Sequence, residues 1–256
     1  MLYSMKTTHT KDSLTADLVR GGLRRTDTVL VHSSMKSIGE VAGRADTVLD
    51  ALTEYFAPSG LLVLPTLSWR LNENDPVFDP GKTASQVGIL PELFRQRPGV
   101  IRSWHPTHSV AAAGRDAAEF TAGHEKFDTP CARNSPWGRF FDRGGRIVFI
   151  GASIAHNTFF HGLEEWYLPR EAVFRPRQEM LYVQLPDKRI PVPSWRHRPD
   201  HSSLFAKPEA EMRRLSILKD FRFGDAPSCI IDSVAAAALV RRLLAADPLY
   251  FTPPEK

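Results

Sequence analysis

His161 and Glu164 are the sharpest chemical pair in the chain, set in R-I-V-F-I-G-A-S-I-A-H-N-T-F-F-H-G-L-E-E-W between Arg146 and Trp166. On a helix, residues three apart share a face, so the carboxylate can hold the imidazole in one orientation. A histidine held in this way accepts protons near neutral pH, which is the work of a general base. The same spacing also suits an ordinary hydrogen-bonded histidine at a helix start, and both readings stand at this point. Four further groups carry reactive side chains: His32 with Ser33 and Ser34, His105 with His108, Cys131 in T-P-C-A-R-N-S, and W-R-H-R-P-D-H over 195–201.

Several chemistries can be weighed from these groups. His105 and His108 with His32 or His161 would make a three-histidine zinc site. Trp104 and Pro106 interrupt the regular spacing of a metal-binding helix, and H-E-x-x-H and paired cysteines are absent, so no metal is expected. A serine hydrolase would present G-x-S-x-G, for which Gly151-Ala152-Ser153 is a poor substitute. A Cys131 nucleophile paired with a distant histidine stays open, because thiolate character is not legible in sequence.

The elements that must position these groups follow from hydrophobic periodicity. Residues 12–25 read as a helix, Thr28–His32 as a buried strand, Val48–Phe56 as a helix stopped at Pro58 and Gly60, and Leu61–Leu64 as a strand. This alternation predicts a parallel or mixed sheet with helices on its faces. Ser68–Gln86 reads as a long irregular loop bearing Trp69, Glu73 and Asp75, which suits a substrate-facing excursion. Ile89–Gln96 is expected to be helical, Val100–Ser103 and Val110–Ala113 extended, and Asn134–Phe141 a capped helix. Ile147–Ile150 is an apolar strand closed by Gly151, and Asn157 or Thr158 would cap the helix bearing His161. Met180–Leu185 and Arg189–Val192 flank Pro186-Asp187-Lys188 as a hairpin. Leu204–Leu215 reads as a helix, Cys229–Ile231 as the last strand, and Asp232 as the cap of an Ala-rich helix reaching Ala246. Without a repeat, low-complexity tract or linker, residues 1–256 are read as one domain.

Bulk composition sets the outer limits. A hydrophobic fraction of 42% with 24% charged residues is that of a soluble globular chain. No run approaches a membrane span and the N-terminus has no apolar signal core, so a cytoplasmic, non-membrane protein is expected. Two cysteines suit a reducing compartment. The net charge of +4 is scattered without a nucleic-acid motif, which argues against nucleic acid and leaves a small anionic ligand open.

Five separated segments occur in one order: V-H-S-S-M-K-S-I-G (31–39), F-D-P (78–80), R-S-W-H-P-T-H-S-V-A-A-A-G (102–114), N-S-P (134–136) and G-A-S-I-A-H-N-T-F-F-H-G-L-E (151–164). Together they resemble the aminoglycoside 3-N-acetyltransferase family over residues 10–250. The resemblance implies a three-layer α/β/α fold with a central mixed sheet, unlike the GNAT fold, and acetyl-CoA as cosubstrate. It implies direct transfer to a small-molecule amine, an aminoglycoside or a related amino sugar, with His161 as general base and Glu164 as its partner. It places the CoA site on His32, Ser33, Ser34, Met35, Lys36 and Ser37, and on Arg102, Ser103, His105 and Ser109. Arg196 and Arg198 fall in the segment that matches the family's acceptor region, and Trp69, Glu73 and Asp75 of the long loop are acceptor candidates on the loop reading alone. Where antibiotic-modifying members carry acids, 193–201 offers Arg196 and Arg198, with only Asp200 acidic. This departure opens an alternative, a CoA-binding relative acting on a neutral or anionic amine; monomer and dimer are both left open.

Overall fold

The structure is a computed structural model that describes residues 7–199 and 201–253, without the side chains of His201 and Ser202. Its centre is a seven-stranded sheet in the order Leu218–Phe223, Ala226–Asp232, Arg146–Ile150, Thr28–Ser33, Leu61–Pro65, Val110–Gly114, Ile101–Arg102. The three middle strands, Arg146–Ile150, Thr28–Ser33 and Leu61–Pro65, run parallel, and the strands outside them on either edge are antiparallel.

Alternation along the middle strands feeds two cores. Leu30, Ile147 and Phe149 face one side with Phe159, Phe160 and Leu163 of helix Thr158–Tyr167 and with Ala236, Leu239 and Val240 of helix Ser233–Ala246. Val29, Val31, Val148 and Ile150 face the other side with Leu14 and Leu18 of helix Lys11–Arg20 and with Val48, Leu52 and Phe56 of helix Arg44–Phe56. Strands buried on both faces must be apolar throughout, which is why they read as short continuous runs. The result is the expected three-layer α/β/α arrangement around a mixed sheet.

Several sequence expectations shift. The first helix ends at Arg20 and Asn134 gives way to Ser135 as the cap of Pro136–Asp142. The 68–86 stretch is not wholly irregular: Val77–Phe78 adds a parallel edge to the hairpin Glu179–Gln184/Arg189–Ser194, making a second, three-stranded sheet. Leu204–Leu215 is not one helix; it shortens to Glu209–Arg214 after a 3-10 turn at His201–Leu204. Leu218–Phe223 was not anticipated as a strand, because K-D-F-R is polar enough to pass for a loop; it lies on the sheet edge where polar side chains meet water. Asp232 caps Ser233–Ala246 as expected, accepting from the Val234 and Ala235 amides. Among the described residues no helix is long and apolar enough to cross a membrane.

Candidate active site

The three parallel strands end on the same side of the sheet, and a cavity of about 800 Å³ opens there. His32 to Ser34 leave the first strand, Pro65 and Leu67 the second, and Gly151 to Ser153 the third, and all of these line the cavity. The carboxyl ends of such strands are where open α/β sheets collect ligands. The turn after Ile150 depends on Gly151, whose φ is +61°; a Cβ there would collide with the Ser37 side chain. Ser37 instead binds the loop down, donating its hydroxyl to Ser34 Oγ at 3.0 Å and to the Gly151 carbonyl at 3.2 Å. The Ser34 amide is also committed, donating to the Ile150 carbonyl at 2.9 Å.

Beyond this turn, Ser153 caps a 3-10 turn at Ile154–His156, and Thr158–Tyr167 follows. Neither residue expected to cap that helix does so by its side chain: Asn157 holds the cap position by backbone alone, its side-chain carboxamide buried without a hydrogen-bond partner, and Thr158 Oγ1 reaches only the His156 carbonyl. One turn on, His161 Nδ1 lies 3.2 Å from Glu164 Oε2. The Glu164 carboxyl group is 1% exposed and the imidazole 13%, so a buried acid side chain presents a ring to the cavity.

His161 does not stand alone. His197 stacks on it with centroids 4.0 Å apart at 11°, Phe205 meets its edge at 4.7 Å, and His108 lies 5.9 Å away. His197 Nε2 is 2.8 Å from Glu165 Oε1. Consecutive glutamates of one helix therefore each hold a histidine. Burial, only partly offset by hydrogen bonds from Thr129 and the Cys131 amide, raises Glu165 to about 8. Sequence reasoning picked the arginines on either side of His197 and passed over it; the signal was W-R-H-R itself.

The other expected site residues divide sharply. His32, Ser33, Ser34, Trp69, Arg196 and Arg198 line the cavity, together with Arg175. Burial pushes His32 down to about 3, with His156 adding to the effect; its Nε2 and the Ser33 hydroxyl are buried without a partner. Met35, Lys36 and Ser37 sit on the 3-10 turn behind the loop and do not line the cavity: Met35 packs into the core and Lys36 is exposed. Arg102, Ser103, His105 and Ser109, expected at the cosubstrate, are likewise not among the lining residues. Arg102 donates to the carbonyls of Thr66, Pro80 and Thr83 and to the Thr66 and Ser109 hydroxyls, tying the long loop to the sheet. Ser103 bonds His124, and His105 Nδ1 accepts from the Thr107 and His108 amides. A buried guanidinium must find its partners inside the protein, and Arg102 has done so, whereas His105 is satisfied at Nδ1 and leaves Nε2 buried without one. Glu73 pairs with Arg177 at 3.0 Å and Asp75 bridges Asn72 in an exposed turn, so neither acid lines the cavity. Asp200 lies outside the described residues.

Arg196 is also largely committed, donating to the Trp69 and Leu71 carbonyls and lying 3.3 Å from Glu179. Arg198 is exposed and donates to the Glu171 carbonyl at 2.9 Å. Cys131 is fully buried, and burial together with Glu165 and Glu164 pushes its thiol well above the usual range. A thiol without access or thiolate character is no nucleophile, so the cysteine alternative falls.

Fold and site together define a class: three-layer α/β/α proteins whose cleft, at the carboxyl ends of central parallel strands, carries a histidine backed by a buried carboxylate. Residues 30–245 match the family model for aminoglycoside 3-N-acetyltransferases. Aminoglycoside N(3)-acetyltransferase VII of Streptomyces paromomycinus is 34% identical over 174 residues, a match spanning 60% of this chain and 60% of that relative. The SPbeta prophage-derived aminoglycoside N(3')-acetyltransferase-like protein YokD of Bacillus subtilis is 32% identical over 185 residues, 64% of this chain and 67% of YokD. Aminoglycoside acetyltransferase AAC(3)-IVa, solved as a histidine-to-alanine variant in complex with a gentamicin, superposes with a TM-score of 0.85 at 26% identity, covering 98% of this chain and 94% of the other. This chain belongs to the aminoglycoside 3-N-acetyltransferase family.

Proposed function

We propose that this chain, working as one domain, is an acetyl-CoA-dependent N-acetyltransferase in which His161 is the general base. The observation that carries the reading is the His161–Glu164 pair in the wall of the cavity, within a chain matched to the family over 30–245. A protonated amine has no lone pair to attack with. Once the ammonium proton has gone to solvent, the neutral amine attacks and His161 takes the proton that its nitrogen sheds on bonding to the acetyl carbonyl carbon; the carbon–sulfur bond then breaks and the CoA thiolate leaves with that proton, returned from the imidazolium. Glu164 orients the ring and stabilises its charged form. The Ser34 hydroxyl, on the cavity wall, supplies a donor for the carbonyl oxygen as it gains charge. The Ser34 amide is spent on Ile150 and takes no part.

The acceptor is an amine of low positive charge. Among the described residues lining the cavity there is no aspartate or glutamate, whereas Arg198 presents an exposed guanidinium; Arg175 and Arg196 also line it, paired with Glu179. A substrate bearing several ammonium groups meets repulsion there, and a neutral or anionic amino sugar does not. Calorimetric titration with acetyl-CoA and turnover by His161→Ala test the reading together. Binding in both proteins with turnover reduced about 10²- to 10⁴-fold in the variant is expected. Wild-type kcat in His161→Ala, or no acetyl-CoA binding at millimolar ligand, would sink it.

A further inference from the structure

His161 is restrained from a second direction, independent of its contact with Glu164. The arm after strand Arg189–Ser194 is fastened by backbone on both sides of His197: the Arg175 amide donates to the Arg196 carbonyl at 2.8 Å and the Arg198 amide to the Val173 carbonyl at 2.9 Å. His197 and Phe174 oppose each other across that bridge, and their rings stack with centroids 5.3 Å apart at 19°. His161 takes the other face of His197, at 4.0 Å and 11°. Glu165 Oε1 lies 2.8 Å from His197 Nε2 and accepts from the Cys131 amide at 2.8 Å, which holds the His197 ring against turning. Both side chains are enclosed, His197 8% exposed and Glu165 3%.

This stack supplies what the Glu164 contact lacks. An imidazole occupies a broad range of angles about its Cβ–Cγ bond. A single in-plane contact of 3.2 Å at Nδ1 leaves the ring able to tilt, and a flat ring pressed on its face stops the tilt. The lone pair at Nε2 lies in the ring plane, so fixing that plane fixes the direction from which a proton is taken. Phe205 closes the edge at 4.7 Å. Consecutive glutamates of one helix thus act on one base, Glu164 directly and Glu165 through His197.

We propose that His197, pinned by Glu165 and backed by Phe174, is a positioning residue that holds the plane of the His161 ring for proton transfer. This role rests on the reading of His161 as the base. It calls for a flat face and not for a proton on His197: parallel rings 4.0 Å apart have their nitrogen lone pairs side by side and cannot pass a proton between them.

Steady-state kinetics with acetyl-CoA, and with glucosamine or gentamicin as acceptor, tests the role. His197→Leu fills the volume without a flat face, and Glu165→Leu releases the ring from a position that does not line the cavity. Each should lower kcat about 10- to 100-fold with both KM values within about twofold of wild type. The double variant should fall no further than His197→Leu alone, because both changes act through one ring. His197→Phe restores the flat face and should stay within about fivefold of wild-type kcat. Wild-type kcat in both leucine variants overturns the role, as does His197→Phe as slow as His197→Leu. A raised acceptor KM at unchanged kcat in His197→Leu also overturns it and makes His197 a substrate contact. Crystal structures of the two His197 variants give a readout independent of turnover: the His161 ring should leave its plane in His197→Leu and keep it in His197→Phe. A ring unmoved in both overturns the role. Wild-type kcat in His161→Ala, or no acetyl transfer by the wild-type protein, overturns the reading of the base, and the two crystal structures then still decide the positioning.

Discussion

Replacing His32 by phenylalanine should change how the protein's stability responds to acid. His32 stacks on Phe149 with centroids 4.8 Å apart at 11°, so a phenyl ring keeps the packing. Its Nε2 is buried without a partner, and burial holds the ring at about 3 in the folded protein. In the unfolded chain the same ring titrates near 6.5. A folded-state value below the unfolded one gives stability that is complete above the unfolded value and is lost as pH falls below it. Between pH 7.5 and 5.0 that loss is about 2 kcal/mol for this one residue. Glu165, raised to about 8 by burial, works in the opposite direction across the same window, so the wild-type slope by itself is a sum of opposing contributions. The difference between the two proteins isolates His32. Urea unfolding at both pH values should show His32→Phe gaining about 2 kcal/mol on wild type as the pH drops, with an unchanged m-value. Parallel pH profiles for the two proteins would mean that His32 is not held neutral by burial.

Other perturbations probe the remaining parts of the site. Glu164→Gln removes a charge-assisted hydrogen bond that matters most when the imidazole is protonated, and should lower kcat about 10- to 100-fold with KM for acetyl-CoA little changed; steady-state kinetics decides. Arg198→Glu should raise kcat/KM for cationic amines several-fold and lower it for anionic ones; a change confined to acetyl-CoA would place this arginine at the cosubstrate instead. Gly151→Ala forces a side chain into φ +61° against Ser37 and should cost about 1–3 kcal/mol in the free energy of urea unfolding. Arg102→Met orphans buried carbonyls and should destabilise by about 3 kcal/mol or more in the same assay; normal stability with lost acetyl-CoA affinity would show a direct contact.

The central sheet and the reactive pair were legible in one dimension. Continuous apolar runs such as Leu61–Leu64 and Ile147–Ile150 suit strands buried on both faces, and three-residue spacing puts His161 and Glu164 on one helix face, because both constraints are local. Their companions were not local. His108, His161 and His197 meet only because the loop before one strand, a helix and the arm after a hairpin converge on one end of the sheet. Charge was equally ambiguous along the chain: Arg102 reads as an anion binder, yet the fold turns it inward to hold the carbonyls of Thr66, Pro80 and Thr83. Arg196 similarly reads as a free cation until the Trp69 and Leu71 carbonyls close on it. Whether a polar side chain meets ligand or backbone depends on which remote segment packs over it, and that is settled in three dimensions alone.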